Sequence, residues 1–104
     1  MDINLVYITA GSADEAKTIG KNLVQSRLAA CINIIENMNS VYMWEGEIQD
    51  HSEVIMIAKT TKERLPDLIE TVKSLHSYSC PCILSLPVSG GNKPFLEWIA
   101  DEVK

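Results

Sequence analysis

The sequence lacks the features that mark several common classes of protein. Lysine and arginine number only 9 against 14 acidic residues, and the formal net charge is −5. A basic face for nucleic acid is therefore not expected. No apolar run approaches the roughly 20 residues that a membrane-spanning helix needs. The first residues, 1–4, show no basic segment followed by an apolar block, so we expect no signal peptide and a cytoplasmic location.

Cysteine and glycine are also scarce. The chain has 3 cysteines, an odd number that suits reduced thiols better than a disulfide framework. No glycine-rich loop is present to cradle a phosphate, and no serine or cysteine has an evident histidine and acid partner. We therefore expect no catalysis. Linkers and repeats are absent as well, so residues 1–104 are interpreted as a single domain.

The most distinctive part of the sequence is the segment Leu28–Lys59, LAACINIIENMNSVYMWEGEIQDHSEVIMIAK. Its β-branched and aromatic residues predict two long strands that fold back on each other at Glu45-Gly46. An unbroken strand over residues 30–44 would be about 50 Å long, whereas a compact chain of this size is about 35 Å across. We therefore expect another copy of the chain to cover the overhang, unless a bulge or turn at residues 36–39 shortens the strand.

Shorter patterns on either side of this hairpin predict the other elements. Ile3–Thr9 is an apolar run of strand character. Ser12 with Glu15 forms a capping box at the start of a first helix, and Thr60 with Glu63 forms another before a second helix.

Prolines shape the second half of the chain. Pro66 makes the first turn of the second helix irregular, so regular helix is expected from near Leu65. Cys80–Val88 is expected to form the fourth strand, confined to a sheet edge by its two prolines. Pro94 opens a short last helix, in which Trp98 is expected to belong to the core.

This order of elements predicts a ferredoxin-like α+β sandwich, βαββαβ, with a long hairpin between the second and third strands and a short C-terminal helix. In such a fold, one antiparallel sheet carries two helices on one face. The other face would be bare in a single chain, which is a second reason to expect self-association.

Several segments together resemble the CutA divalent-cation-tolerance family: LAACINII, VYMWEGEIQ, IAKTT, LHSY with a following proline and LPV, and FLEWI. The match is collinear from Leu5 to Ile99. The resemblance implies a ferredoxin-like fold, a tight homotrimer built from the long hairpins, divalent-metal binding, copper above all, and a link to metal tolerance without an established reaction. It also implies a trimer like that of the PII signalling proteins, which bind small ligands between subunits, although this likeness is one of fold.

His76 is the first candidate metal ligand, at the end of the second helix. The resemblance implies that this histidine ligates copper in some relatives. Here Ser77 replaces the proline of the family pattern, and Leu75 and Ile8 stand where some relatives carry a further ligand. The alternative is that His76 caps the helix C-terminus.

Cys80 and Cys82 are the other candidate metal ligands. In an extended strand, residues two apart point to the same face, and their Cα atoms would be about 6.6 Å apart, at the limit for a disulfide. Two such thiols can share a soft ion such as Cu(I) or Zn(II), with His76 as a third donor. Burial as small apolar side chains is the alternative, and it is the favoured interpretation for Cys31.

A pocket between subunits is the remaining candidate site. The resemblance implies that Trp44, Lys59 and Tyr78 line it and receive an anion. From the residues themselves, the threonines after Lys59 are expected to cap the next helix.

Three functional hypotheses follow. The first is a trimeric cytoplasmic protein that binds divalent metal and serves cation tolerance. The second is a PII-like sensor of a small ligand, and the third is a trimeric scaffold for other proteins.

Overall fold

The structure, a computed structural model, describes residues 2–104; Met1, part of the segment considered for a signal peptide, lies outside them. Within this range the elements alternate in the predicted order, with one short 3₁₀ turn at Lys62–Arg64. The strands and helices are β1 (Ile3–Ala10), α1 (Ala13–Gln25), β2 (Cys31–Trp44), β3 (Glu47–Thr61), α2 (Leu65–Leu75), β4 (Ile83–Pro87) and α3 (Lys93–Glu102).

The four strands form one antiparallel sheet in the order β2-β3-β1-β4. This is the ferredoxin-like arrangement predicted from the sequence. Both β2 and β4 are edge strands, and β4 carries Pro87 at its end, as expected for an edge. None of the helices in residues 2–104 combines the length and apolarity that a membrane crossing requires.

The main core lies between the sheet and the two longer helices. Alternate residues of β1 and β3 point toward α1 and α2, because successive strand side chains face opposite sides of the sheet. The fully buried members include Val6, Ile8 and Met56 from the sheet and Leu23 and Leu68 from the helices.

A smaller cluster holds α3 at the end of the sheet, where Ile99 and Val103 pack against Ile3 and Ala30. Trp98, predicted to be a core residue, is instead 41% exposed beside Phe95. The prediction was wrong because α3 buries only the narrow side of the helix that carries Ile99 and leads to Val103, and Trp98 lies outside it.

The long hairpin is confirmed. β2 and β3 pair from Cys31↔Lys59 to Trp44↔Glu47, and the turn lies at Glu45 and Gly46. Both turn residues have positive φ, 51° and 83°, which is the twist that a two-residue hairpin turn needs. The hairpin makes the molecule elongated, with extents of 44 × 25 × 22 Å.

A β-bulge interrupts the hairpin at residues 36–37, one of the two alternatives left open by the sequence. Ile35 pairs with Ile55 and Met38 with Glu53, so two residues of β2 lie opposite one residue of β3. Asn37 takes a positive φ of 61° there, a conformation that asparagine tolerates better than most residues.

Two boundary predictions were wrong. Thr60 does not cap α2, because it belongs to β3, and its hydroxyl donates to the carbonyl of Leu28 at 2.6 Å. Thr61 precedes the 3₁₀ turn without a side-chain cap bond. The fourth strand begins at Ile83 rather than Cys80, so both cysteines lie in the segment before it.

The face of the sheet away from α1 and α2 is here called the open face. Its apolar residues are exposed or half-buried, with Leu84 at 60% and Leu86 at 53% exposure. By strand alternation it also includes Leu5, Tyr7, Cys31, Asn33, Ile35, Ile55, Ile57 and Lys59. An apolar sheet face of this extent is typical of a surface that another chain covers.

Candidate functional site

A cleft with a volume of about 920 Å³ lies where the hairpin leaves the body of the sheet. We call it the hairpin cleft. Its walls come from β1, the outer half of the hairpin, and the segment between α2 and β4. The lining side chains are Tyr7, Thr9, Met38, Asn39, Ser40, Val41, Tyr42, Trp44, Gln49, His51, Glu53, Tyr78, Ser79, Cys80, Pro81 and Cys82.

The bulge decides which residues of β2 line this cleft. Since Met38 pairs with Glu53, the residues on the same face as Glu53 are Met38, Ser40, Tyr42 and Trp44. Without the extra residue, the odd-numbered positions would take that face instead. The aromatic side chains Tyr42 and Trp44 therefore reach the cleft because of the bulge.

Glu53 is the only acidic side chain of the cleft among residues 2–104. It is 7% exposed, and its Oε2 accepts a hydrogen bond of 2.9 Å from the hydroxyl of Tyr78. Burial, together with this hydrogen bond and the charge of Glu53, raises the pKa of Tyr78 to about 12. Tyr78 is therefore held as a protonated donor. The Nε2 of His51 lies 4.0 Å from the same carboxylate oxygen.

His76 lies behind the cleft with its side chain fully buried. Its Nε2 donates to the carbonyl of Thr9 at 2.7 Å, and its Nδ1 accepts from the backbone N–H of Tyr78 at 3.1 Å. These partners place the ring proton on Nε2. Both nitrogens are occupied, so His76 binds a metal only if it gives up one of these bonds.

Glu15 ties the start of α1 to the segment that follows α2. Its amide donates to the hydroxyl of Ser12 at 3.1 Å, which confirms half of the predicted capping box. Its carboxylate accepts instead from the N–H groups of Gly11 at 3.3 Å and Ser77 at 2.8 Å. Burial acts to raise the pKa of Glu15, but the hydrogen bonds from Ser77 and Gly11 outweigh it, and the net pKa is lowered.

The two candidate thiol ligands differ in exposure. Cys80 is exposed, whereas Cys82 is half-buried. Burial and the nearby charge of Glu53 raise the pKa of the Cys82 thiol, although a hydrogen bond with Thr9 opposes them. Across residues 2–104, no three or more histidine, cysteine, aspartate or glutamate side chains are grouped closely enough to hold a metal ion. One chain therefore does not supply a complete ligand set from His76, Cys80 and Cys82.

The predicted ligand pocket is only partly assembled in one chain. Trp44 and Tyr78 both line the hairpin cleft, but Lys59 does not. Lys59 lies further along β3 on the open face, where its Nζ is 3.5 Å from the Sγ of Cys31 and also contacts the amide oxygen of Asn33. Cys31 is half-buried rather than buried.

Glu53 and Thr9 were missed by the sequence interpretation. A signal for Glu53 existed, because strand alternation places it on the same face as Ile55 and Ile57, where a lone acid is unusual. Nothing in the sequence indicated that the backbone carbonyl of Thr9 would accept a hydrogen bond from His76.

The fold and the cleft define a small ferredoxin-like α+β protein with a long hairpin and an exposed apolar sheet face. Comparison with known proteins makes the family specific. Residues 4–102 match the sequence model of the CutA1 divalent ion tolerance protein family, and the chain belongs to this family.

Individual relatives agree with this assignment. The divalent-cation tolerance protein CutA of Thermus thermophilus is 43% identical over 97 residues, which are 93% of this chain and 94% of that protein. The CutA of Archaeoglobus fulgidus is 44% identical over 101 residues, covering 97% and 98%.

Solved structures agree as well. The structure of the Archaeoglobus fulgidus CutA has a TM-score of 0.95 at 43% identity, with 98% of this chain and 99% of that chain covered. The structure of CutA1 from Oryza sativa has a TM-score of 0.97 at 36% identity, with 100% and 95% covered.

Proposed function

We propose that this chain acts in divalent-cation tolerance as a cytoplasmic homotrimer that binds a divalent metal, copper above all, without catalysing a reaction. Membership of the CutA1 family supports the link to divalent ions. The observation that carries the proposal is the open face together with the hairpin, because both need a partner chain. The odd number of 3 cysteines supports a reducing compartment, although the Archaeoglobus fulgidus relative is called periplasmic.

The sheet supports assembly into a closed ring. Its two edge strands, β2 and β4, lie at opposite sides of the same sheet. If β2 of one copy contacts β4 of the next, the same contact can repeat from copy to copy. The copies then form a closed ring when the rotation between neighbours permits it. Such a ring would turn the open faces inward and remove Leu84 and Leu86 from water. The number of three copies comes from the family resemblance.

Within residues 2–104, the side chains of one chain provide only some of the ligands that a soft metal ion needs. The thiols of Cys80 and Cys82 are the ligand type that Cu(I) and Zn(II) prefer. A closed site needs three or four protein ligands, so the assembled protein must add donors from another copy, or His76 must release a hydrogen bond. The thiolates of Cys80 and Cys82 would coordinate the ion, and a bound ion would hold residues 80–82 in place.

A metal titration of the assembled protein tests this proposal. Isothermal titration with Cu(II), Cu(I) and Zn(II) is compared among wild type, a Cys80→Ser, Cys82→Ser double variant, and Cys31→Ser as a matched control. We expect the double variant to lose at least tenfold in affinity and the control to keep wild-type affinity. Equal affinities in all three proteins would remove these thiols as ligands, and no binding to wild type would remove the metal function.

A second candidate function is that of a small-molecule sensor, and the hairpin cleft favours it. A volume of about 920 Å³ falls within the range of small-ligand sites, and Glu53, Tyr78 and His51 converge there. Native mass spectrometry of protein purified from cells tests this function. A co-purifying small molecule, lost when Tyr78 and Trp44 are replaced by alanine, is the expected result; ligand-free wild type would count against it.

A further inference from the structure

We propose that His76 is a positioning residue of this chain and not a metal ligand, and that its ring connects residues 76–78 to the end of β1. The inference rests on the proposed metal-binding function only for what it excludes. That function left two ways to complete a ligand set around Cys80 and Cys82, and the inference removes the way that uses His76. The side chain of His76 is fully buried within one chain, so a neighbouring copy that covers the sheet does not change its contacts.

Both nitrogens of the His76 ring already have partners. Nε2 donates to the carbonyl of Thr9 at 2.7 Å, and Nδ1 accepts from the N–H of Tyr78 at 3.1 Å. A histidine ligand binds its metal through a ring nitrogen with an available lone pair. In this tautomer, the lone pair of the ring accepts the hydrogen bond from Tyr78. None of the buried side-chain nitrogen and oxygen atoms in residues 2–104 lacks a partner.

The bond to Tyr78 orders the backbone directly after α2. His76 ends this helix in an extended conformation, with φ −77° and ψ 142°. Its Nδ1 then accepts from the N–H two residues further along the chain. Asparagine and aspartate side chains make the same contact in turns. The ring of His76 therefore stabilises residues 76–78 in the way that an asparagine side chain stabilises a turn.

The position of Tyr78 depends on this ordered backbone. Its ring centroid lies 4.7 Å from that of His76, and its hydroxyl donates to Glu53 of β3 at 2.9 Å. A Cβ added at Gly11 would lie 3.2 Å from the Tyr78 hydroxyl, so the tyrosine packs closely against the backbone before α1. If the ring of His76 turned to bind a metal, it would lose the bond to Thr9 and disturb this packing.

Glu15 holds the same segment from the start of α1. Its Oε2 accepts from the N–H of Ser77 at 2.8 Å and lies 3.9 Å from Nδ1 of His76. The three successive residues are therefore bonded to three different elements: His76 to Thr9 of β1, Ser77 to α1, and Tyr78 to β3. In this arrangement, His76 supplies one of three connections that fix the segment.

Nitrogen NMR of the histidine rings tests the inference in the assembled wild-type protein. The chain has only 2 histidines, and a His51→Gln protein assigns their signals. We expect His76 to show the Nε2–H tautomer without metal and to keep its ring-nitrogen signals at saturating Zn(II), which is diamagnetic. A shift of Nδ1 or Nε2 of His76 to the range of a metal-bound imidazole would overturn the inference.

Two substitutions separate positioning from ligation. His76→Ala removes the ring, whereas His76→Asn keeps an acceptor for the N–H of Tyr78. We expect this N–H to exchange about tenfold faster in His76→Ala than in wild type, and His76→Asn to restore most of the protection. The amides of β1 and β3 report global unfolding in the same spectra. The Zn(II) affinity of His76→Asn should stay within about threefold of wild type, because no ligand is lost.

The contrary results are distinct. Equal exchange of the Tyr78 N–H in all three proteins would overturn the positioning role. A Zn(II) affinity that both variants lower equally, by about tenfold or more, would show that His76 is a ligand. If wild type binds no Zn(II), that failure concerns the proposed function, whereas the tautomer and the amide exchange, both measured without metal, still decide the role of His76.

Discussion

Thr60 is a single residue whose hydroxyl joins two parts of the core. It is completely buried, and it donates at 2.6 Å to the carbonyl of Leu28, which lies in the connection between α1 and β2. A buried carbonyl that loses its donor costs free energy, because water cannot replace the bond.

We therefore predict that Thr60→Val, which keeps the shape of the side chain, lowers the free energy of unfolding by about 1–3 kcal/mol. The matched control is Thr61→Val, since Thr61 makes no side-chain cap bond; its effect should stay within about 0.5 kcal/mol. Urea unfolding at one fixed protein concentration measures both. A similar decrease in the free energy of unfolding for both variants would show that the hydrogen bond from Thr60 to Leu28 does not stabilise the fold measurably.

Glu15 gives a second prediction at the scale of the residue, and it depends on pH. Its carboxylate accepts from Gly11 and Ser77, and its folded-state pKa is lowered from 4.5. A lowered pKa means that Glu15 stabilises the fold fully above its unfolded pKa and loses this contribution as the pH falls through the folded value.

We expect Glu15→Gln to be less stable than wild type at neutral pH, by about 1–3 kcal/mol, and the difference to shrink as the solution is acidified below pH 4.5. Chemical unfolding of both proteins at a series of pH values gives the comparison. A difference that is independent of pH would contradict a role for the charged form of Glu15.

At the scale of the element, both residues of the hairpin turn, Glu45 and Gly46, have a positive φ, and this conformation is favourable only for the glycine. Gly46 adopts its positive φ without cost, and an added Cβ there would meet nothing within 4 Å. Glu45 is a side-chain-bearing residue at φ 51°, where asparagine is preferred.

Glu45→Asn should therefore raise the free energy of unfolding by about 0.5 kcal/mol, and Gly46→Ala should lower it by about 1–2 kcal/mol through the backbone alone. Thermal unfolding of the two variants beside wild type provides the measurement. A stabilising Gly46→Ala would contradict the turn conformation described for this hairpin.

The elements also show where sequence patterns suffice and where they do not. Some signals are local in the sequence: long runs of β-branched residues, the hairpin turn and the apolar stripes of the helices. The order of strands and helices along the chain was therefore predictable. The bulge at Asn37 was only one of two alternatives, and it reverses the facing of every later residue of β2. The aromatic wall of the cleft depends on that reversal, so its composition could not be deduced from the sequence.

The candidate site was predicted less well because its contacts are distant in sequence. His76 was singled out as a candidate metal ligand, but its hydrogen bond to Thr9 spans 67 residues, and its occupied nitrogens follow from tertiary structure. Trp44 and Tyr78 do share the cleft. Glu53, the buried acid at its centre, lies 25 residues from its partner Tyr78, and no local pattern links the two.

At the scale of the whole molecule, the hairpin and the open face expose apolar residues that one chain does not cover. Val41, Met43 and Ile48 near the hairpin tip are each more than 60% exposed, at 67%, 63% and 71%. Each buried apolar side chain would contribute about 1.5–3 kcal/mol, so association is the favourable outcome for this surface.

Sedimentation equilibrium of the full chain at micromolar concentration tests the proposed assembly most directly. We predict a folded species with about three times the 11.6 kDa mass of one chain. A well-folded species of 11.6 kDa at that concentration would contradict it, and the proposed role of the open face would be wrong.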